Sequence, residues 1–293
     1  MRRAGRVAAA AIIGIGVGLT ARAGPARAQA QLAEEPAPRS VAEEKWPLEA
    51  IRRPLTLPAM MTAFGVALAG FRPDQDVFVN SATGAMTRFN SSVTLGVSLS
   101  FGVLDRLQAS IAMPRFLCVE TDGPSGCTGN GRYDAAGATV RALAVRGEEL
   151  QVAPGVRVSV SSTRPDTLLR WWVDTWVKYT AYDTALTFGP TLTRTFGTTP
   201  DQPFNPWLLY LPFGFSAQLA QRLRAYGVVQ PWGSVGELRE GIALQLYAGV
   251  SYVFGRHVEV DLMGGVYNVL DHPTWYRSLG GSFVQLEFVF WRY

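Results

Sequence analysis

The 293-residue sequence holds only two cysteines and two histidines. So little cysteine excludes a disulfide-dense miniprotein. No His/Cys cluster has metal-ligand spacing, and no phosphate-cradling glycine-rich loop precedes a helix. No metal and no cofactor is therefore expected. Only 17% of the residues are charged against 48% hydrophobic, which excludes a disordered chain. Past the N-terminus, no apolar run approaches the roughly 20 residues that a membrane helix needs. The longest candidate, 58–70, is too short and rich in Gly and Ala.

What charge there is sits unevenly. The formal net charge of +4 suggests a nucleic-acid binder until its position is examined. Residues 1–30 carry Arg2, Arg3, Arg6, Arg22 and Arg27 and no acid. Arg2, Arg3 and Arg6 precede an apolar stretch, Val7 to Thr20, and then the small-x-small pattern Ala28-Gln29-Ala30. That order is a secretory signal peptide, expected to be cleaved after Ala30, or alternatively after Ala28. Without those five arginines the chain has 22 basic against 23 acidic side chains, so no nucleic-acid partner is expected. Residues 31–55 are a periplasmic lead-in, QLAEEPAPRSVAEEKWPLEAIRRPL, read as a solvated tail, with a plug entering a lumen as the alternative.

From residue 56 onward the hydrophobic period is two. In Ser92 to Leu104, Val93, Leu95, Val97, Leu99, Phe101 and Val103 share one face, opposite Thr94, Gly96, Ser98, Ser100 and Gly102. Ile242 to Phe254 and Leu150 to Val160 repeat the pattern. Such runs reach 11–13 residues. Globular strands average about 5–6, and tilted bilayer-spanning strands need about 9–11. Short links, as at 104–106, 146–149, 182–184, 220–224 and 255–256, alternate with longer ones at 71–89, 117–134, 163–168, 197–205, 235–240 and 270–280. Tight periplasmic turns and longer outer loops are the connectivity of outer-membrane barrels. The expected fold is all-β, a transmembrane antiparallel up-and-down β-barrel over 56–293. Twelve strands fit best, near 57–69, 91–104, 106–116, 135–146, 149–161, 169–182, 185–196, 206–220, 222–234, 241–255, 257–269 and 281–293; ten or fourteen stay open.

Two segments carry a family resemblance. The C-terminal FVQLEFVFWRY resembles the terminal strand that signals assembly in bacterial outer-membrane barrels, with Phe290, Trp291 and Tyr293 as the signal. WPLEAIRRPLTLP at 46–58 and FGVLDRLQASIAMP at 101–114 resemble proteobacterial outer-membrane transporters of the phenol-degradation MetA-pathway type. The resemblance implies a Gram-negative outer membrane, with its lipid and the barrel assembly machinery as partners.

A cation facing lipid at mid-membrane costs about 2–4 kcal/mol, so strand charges should face the lumen. Strand phase places Arg141, Arg157, Asp174, Lys178, Gln245, Glu259, Asp261 and Glu287 there, with Trp172 and Trp176 as ligand candidates among them. Trp171, Trp207, Tyr210, Tyr226, Trp232 and Trp291 read as an interfacial girdle. Cys118 and Cys127 bracket an outer loop and should form a disulfide after export. Only His257 and His272 could serve as a histidine base, and Asp271-His272 is a poor dyad because adjacent loop residues diverge. No enzyme is expected. The expectation is a lumen admitting a small solute, apolar or aromatic. A structural or adhesive barrel with a blocked lumen is the alternative, and a lipid-acting hydrolase the third reading. The oligomeric state is open.

Overall fold

A bilayer offers backbone amides no hydrogen-bond partner, so strands that cross it must pair on both edges until the sheet closes. The computed structural model describes residues 46–73, 77–80, 86–121, 126–127, 133–163, 166–197, 207–236, 242–267, 269 and 281–292. In chain order the strands are β1 (Thr62–Pro73, continued by Val77–Asn80), β2 (Met86–Leu104), β3 (Leu107–Thr121), β4 (Tyr133–Ala142), β5 (Leu150–Thr163) and β6 (Asp166–Ala181). They continue as β7 (Thr184–Phe188 and Thr191–Gly197), β8 (Leu208–Tyr210 and Phe213–Ala220), β9 (Leu223–Ser234), β10 (Ala243–Phe254), β11 (Val258–Tyr267) and β12 (Gly281–Arg292). Each pairs antiparallel with the next. β1 then closes on β12, from Thr62↔Arg292 to Pro73↔Gly281. The result is a closed 12-strand antiparallel barrel.

The register carries the sequence alternation round the whole wall. Phe64, Leu68, Leu99, Ile111, Val140, Val156, Val173, Leu186, Phe215, Val229, Val250, Leu262, Val284 and Phe288 are exposed on the outer face. An apolar surface of this extent is a lipid-facing belt. The opposite face is mostly Gly, Ala, Ser, Thr, Gln and charge. β7 breaks at Pro190 and β8 at Pro212, and proline has no N–H to give the ladder. Across the breaks, Thr175 N–H still donates to Pro190 O (3.2 Å) and Gly189 N–H to Pro212 O (3.1 Å), so register is kept.

Several boundaries differ from those expected. β1 starts at Thr62, not near 57, because Met60 N–H and Met61 O both bond to Gly102 and hold a turn there (2.8 Å each). Met60 takes φ 65° in that turn. The expected loop at 71–89 is largely strand, since Val77–Asn80 pairs with Met86–Phe89. β5 and β6 pair up to Thr163↔Asp166, so the expected long link at 163–168 is a tight one. The short/long alternation of connections is therefore not strict. β4 ends at Ala142, and Val145–Arg146 pairs separately with Val152 and Gln151. Cys118 faces Cys127 in the β3 register and is disulfide-bonded. The expected signal peptide (1–30), His272 with Asp271, and Tyr293 lie outside the described residues.

The two faces differ enough to test. Leu262→Arg, in the middle of β11 on the outer face, should cost about 2–4 kcal/mol in folding into phospholipid bilayers. Urea titration of that folding measures it. Gln285→Arg, on the inner face of β12, should cost far less.

Candidate functional site

The bore is built in three levels. At the end with the tight turns, the chain before β1 turns inward instead of trailing into solvent. Ile51, Thr56 and Met61 are 2%, 1% and 0% exposed, so Trp46–Met61 is not the solvated tail expected. A single 3-10 turn spans Ala50–Arg52. Otherwise the segment is irregular, and its backbone groups need partners from the wall. Ile51 N–H donates to Gln218 Oε1 (3.3 Å), Leu55 N–H to Gln151 Oε1 (2.9 Å) and Leu57 N–H to Gln108 Oε1 (2.9 Å). Lys178 Nζ donates to the carbonyls of Ile51 and Arg53. Three inward glutamines and one lysine thus replace the water that an irregular segment would otherwise require.

Arg53 ties this segment down. Its guanidinium lies against the rings of Trp46 (5.3 Å) and Trp291 (4.6 Å), which meet edge to face, and ion-pairs with Glu259 on β11. Its remaining donors reach Pro47 O (2.9 Å) and Leu48 O (3.2 Å). Glu259 also accepts from Ser251 Oγ (2.7 Å). Arg224 lies 3.8 Å from Glu259 and 3.6 Å from Asp261. Around the pair, Leu57, Met61, Val253 and Trp291 form an apolar cluster inside the barrel. Gly102 makes room for the segment: a Cβ there would sit 1.8 Å from Pro58 O.

The middle level is a cross-strand pair. Arg141 on β4 holds both oxygens of Asp174 on β6 at 3.1 Å. Trp176 sits 6.0 Å from the same guanidinium and packs on Gly189, whose Cβ would collide with the ring at 2.6 Å. Gln245 bonds Gln230 at 3.0 Å.

Beyond the lead-in, the described residues leave space in the bore. A cavity of about 320 Å³ runs along a wall of small residues that includes Gly65, Ala67, Gly96, Ser98, Ser110 and Thr139. Arg157, Gln285 and Glu287 also line it. Trp172 stacks under Arg157 (4.6 Å) and Arg170 (5.7 Å). Phe71, Tyr267, Phe283 and Tyr247 make a chain of ring contacts on the inner face, at 5.6, 4.8 and 6.2 Å.

All ten strand residues singled out from phase lie on this inner face, but they do not form one site. Lys178 and Glu259 hold the lead-in, Arg141, Asp174 and Trp176 form the middle strut, and Arg157, Trp172 and Glu287 stand at the open level. The girdle assignment needs correction. Trp171 and Trp207 lie outside, but Tyr210 and Trp232 stack inside (5.5 Å), Tyr226 bonds Asp261, and Trp291 is buried. Phe290 lies on the outer face and is exposed. Period-two phase put Trp291 opposite Phe288 and Phe290, which was the available signal. His257 Nδ1 lies 3.1 Å from Trp291 O, at the turn that opens β11. Phase reasoning missed Arg53 and Arg224: one lies outside any strand, and the other lies next to a turn.

No protein-family model matches the chain, and no curated protein matches it. Solved structures do. The chain is similar to an outer-membrane channel from Pseudomonas putida F1, with TM-score 0.54 and 11% identity, over 81% of this chain and 97% of that one. The fold is that of an outer-membrane β-barrel. The NanC porin aligns at TM-score 0.49 and 10% identity, over 77% of this chain and 98% of that one.

Removing one partner of a buried ion pair leaves the other charge uncompensated, at a cost of about 3–5 kcal/mol. Arg53→Ala should therefore release Trp46–Met61. Limited proteolysis of the folded barrel should cleave that segment at least about tenfold faster than in the wild type. Arg52→Ala, at an exposed neighbour, should leave the rate unchanged.

Proposed function

We propose that this protein is a passive outer-membrane channel that admits a small solute from the open end of its bore. The observation that carries the reading is the 320 Å³ cavity between a wall of small side chains and the Arg157–Gln285–Glu287 group. A barrel of eight strands can be filled by its own side chains, whereas twelve leave space. Among the described residues, the lead-in takes up the space at one end. The similarity to a solved outer-membrane channel is in keeping with this reading. The inward aromatic chain Phe71–Tyr267–Phe283–Tyr247 favours an apolar or aromatic solute, as does the resemblance of residues 46–58 and 101–114 to MetA-pathway transporters. On this reading, residues 1–30 are removed on export. The assembly machinery of a Gram-negative outer membrane recognises the last strand through Phe290, Trp291 and Tyr293, and lipid covers the outer belt.

The occupied end of the bore supports a second reading, a structural barrel whose lumen the lead-in blocks. Planar-bilayer recording separates the two. A channel should show discrete conductance in the wild type, and Arg157→Glu should shift its ion selectivity toward cations. A folded wild-type protein with no conductance and no solute entry into liposomes would leave the blocked barrel as the answer.

A further inference from the structure

Arg72, Arg194 and Arg292 stand in the outward phase of the wall, and Arg194 is set among aromatic rings. Arg194 pairs with Trp171 in the β6–β7 register, and Trp171 alternates with Trp172, which faces the bore. On its other side, Thr193 pairs with Leu208, which places Trp207 beside Arg194. Arg194 therefore stands on the lipid-facing surface, flanked by one tryptophan from each neighbouring strand. Its guanidinium lies 5.2 Å from the Trp207 ring and 4.9 Å from Phe196, two residues along the same strand. Trp171 and Trp207 meet edge to face at 4.9 Å, closing the rings over the strand between them. The Nε of Arg194 is buried and has no hydrogen-bond partner. Among the described residues no carboxylate pairs with it, whereas Arg141 and Arg224, whose Nε atoms are likewise buried and unbonded, each face a carboxylate in the bore.

The height of this group matters. Arg194 lies three residues from the end of β7, at the end of the barrel opposite the lead-in. Trp and Tyr collect where acyl chains meet headgroups, and a cation near that level reaches out of the hydrocarbon. Charge on the lipid face costs little there, against about 2–4 kcal/mol at the midplane. The rings of Phe196 and Trp207 hold the guanidinium on the outer face of the wall. A planar fork of N–H donors matches the oxygens of a phosphate, and such pairs are among the strongest hydrogen bonds.

We propose that Arg194, held by Trp171, Phe196 and Trp207, is a binding site for the phosphate of a membrane lipid in the leaflet at the open end of the barrel. The acyl chains of that lipid lie along the apolar belt below, beside Val173, which is exposed on the same face and pairs with Leu192 on the lead-in side of Arg194. The site is separate from the bore and does not depend on whether the bore conducts.

The test is native mass spectrometry of the full barrel in detergent, with three probes: dioleoyl phosphatidic acid, dioleoylglycerol and inorganic phosphate. The wild type should retain phosphatidic acid, and Arg194→Ala should bind it at least about tenfold more weakly. Dioleoylglycerol should not be retained, because it lacks the phosphate. Inorganic phosphate should not displace the lipid at equal concentration, because it lacks the chains. Equal retention by wild type and Arg194→Ala overturns the proposal, and so does full displacement by inorganic phosphate. Folding gives an independent reading through Arg194→Leu. In bilayers of digalactosyldiacylglycerol, a lipid without phosphate, this variant should unfold at the same or higher urea concentration than the wild type, since it removes a charge from the lipid face. With phosphatidic acid present the order should reverse. An unchanged order in both membranes also overturns the proposal.

Discussion

Closure of the sheet is the constraint on which everything else rests. Inside a bilayer an unpaired strand edge leaves a row of amides with nothing to bond, so β1 has to find β12. Twelve consecutive pairs from Thr62↔Arg292 to Pro73↔Gly281 make that seam. Once it is made, every strand has one face toward lipid and one toward the bore. The period-two pattern then sorts side chains without further choice. Apolar residues come to lie outside, and small, polar and charged residues inside. Burial here is inverted relative to a soluble domain, in which the hydrophobic face would turn inward.

Closure also creates the problem that the lead-in solves. A ring of twelve strands encloses more volume than its inward side chains fill. The inward charges would face each other across water, with carboxylates such as Glu259 and Asp261 on the same strand. Arg53 brings a cation from outside the sheet to that place, and two tryptophans shield it. The irregular backbone of Trp46–Met61 is tolerated because Gln108, Gln151, Gln218 and Lys178 satisfy it. Gly102 allows the approach, since any side chain there would meet Pro58 O. Among the described residues, one end of the bore holds a segment whose polar groups are met, and beyond it a wall of small residues has space beside it.

Much of the fold was legible from the residues. Alternation over 11–13 positions distinguishes a membrane strand from a globular one, and it placed Arg157, Asp174, Glu259 and Glu287 on the inner face together. The girdle was less legible, because a tryptophan near a strand end reads alike on either face. Trp171 and Trp172 are adjacent, yet one meets lipid and the other an arginine in the bore. The loops were overestimated at 71–89 and 163–168, where hairpins extend beyond the apolar belt and lose the pattern that marks a strand. The lead-in was misread because it has no period at all. Its order comes from contacts with residues up to 206 positions away.

The amino-acid sequence by itself determined the strands, their two faces and hence the barrel, because period two and the cost of charge in lipid act on each strand locally. Only the tertiary structure decided which inward charges meet. Arg141 reaches Asp174, Arg53 reaches Glu259, and Arg157 and Glu287 line the cavity. It also decided that the segment before β1 fills one end. Those outcomes depend on register and on distances across the bore, and both are set only when the last strand closes on the first.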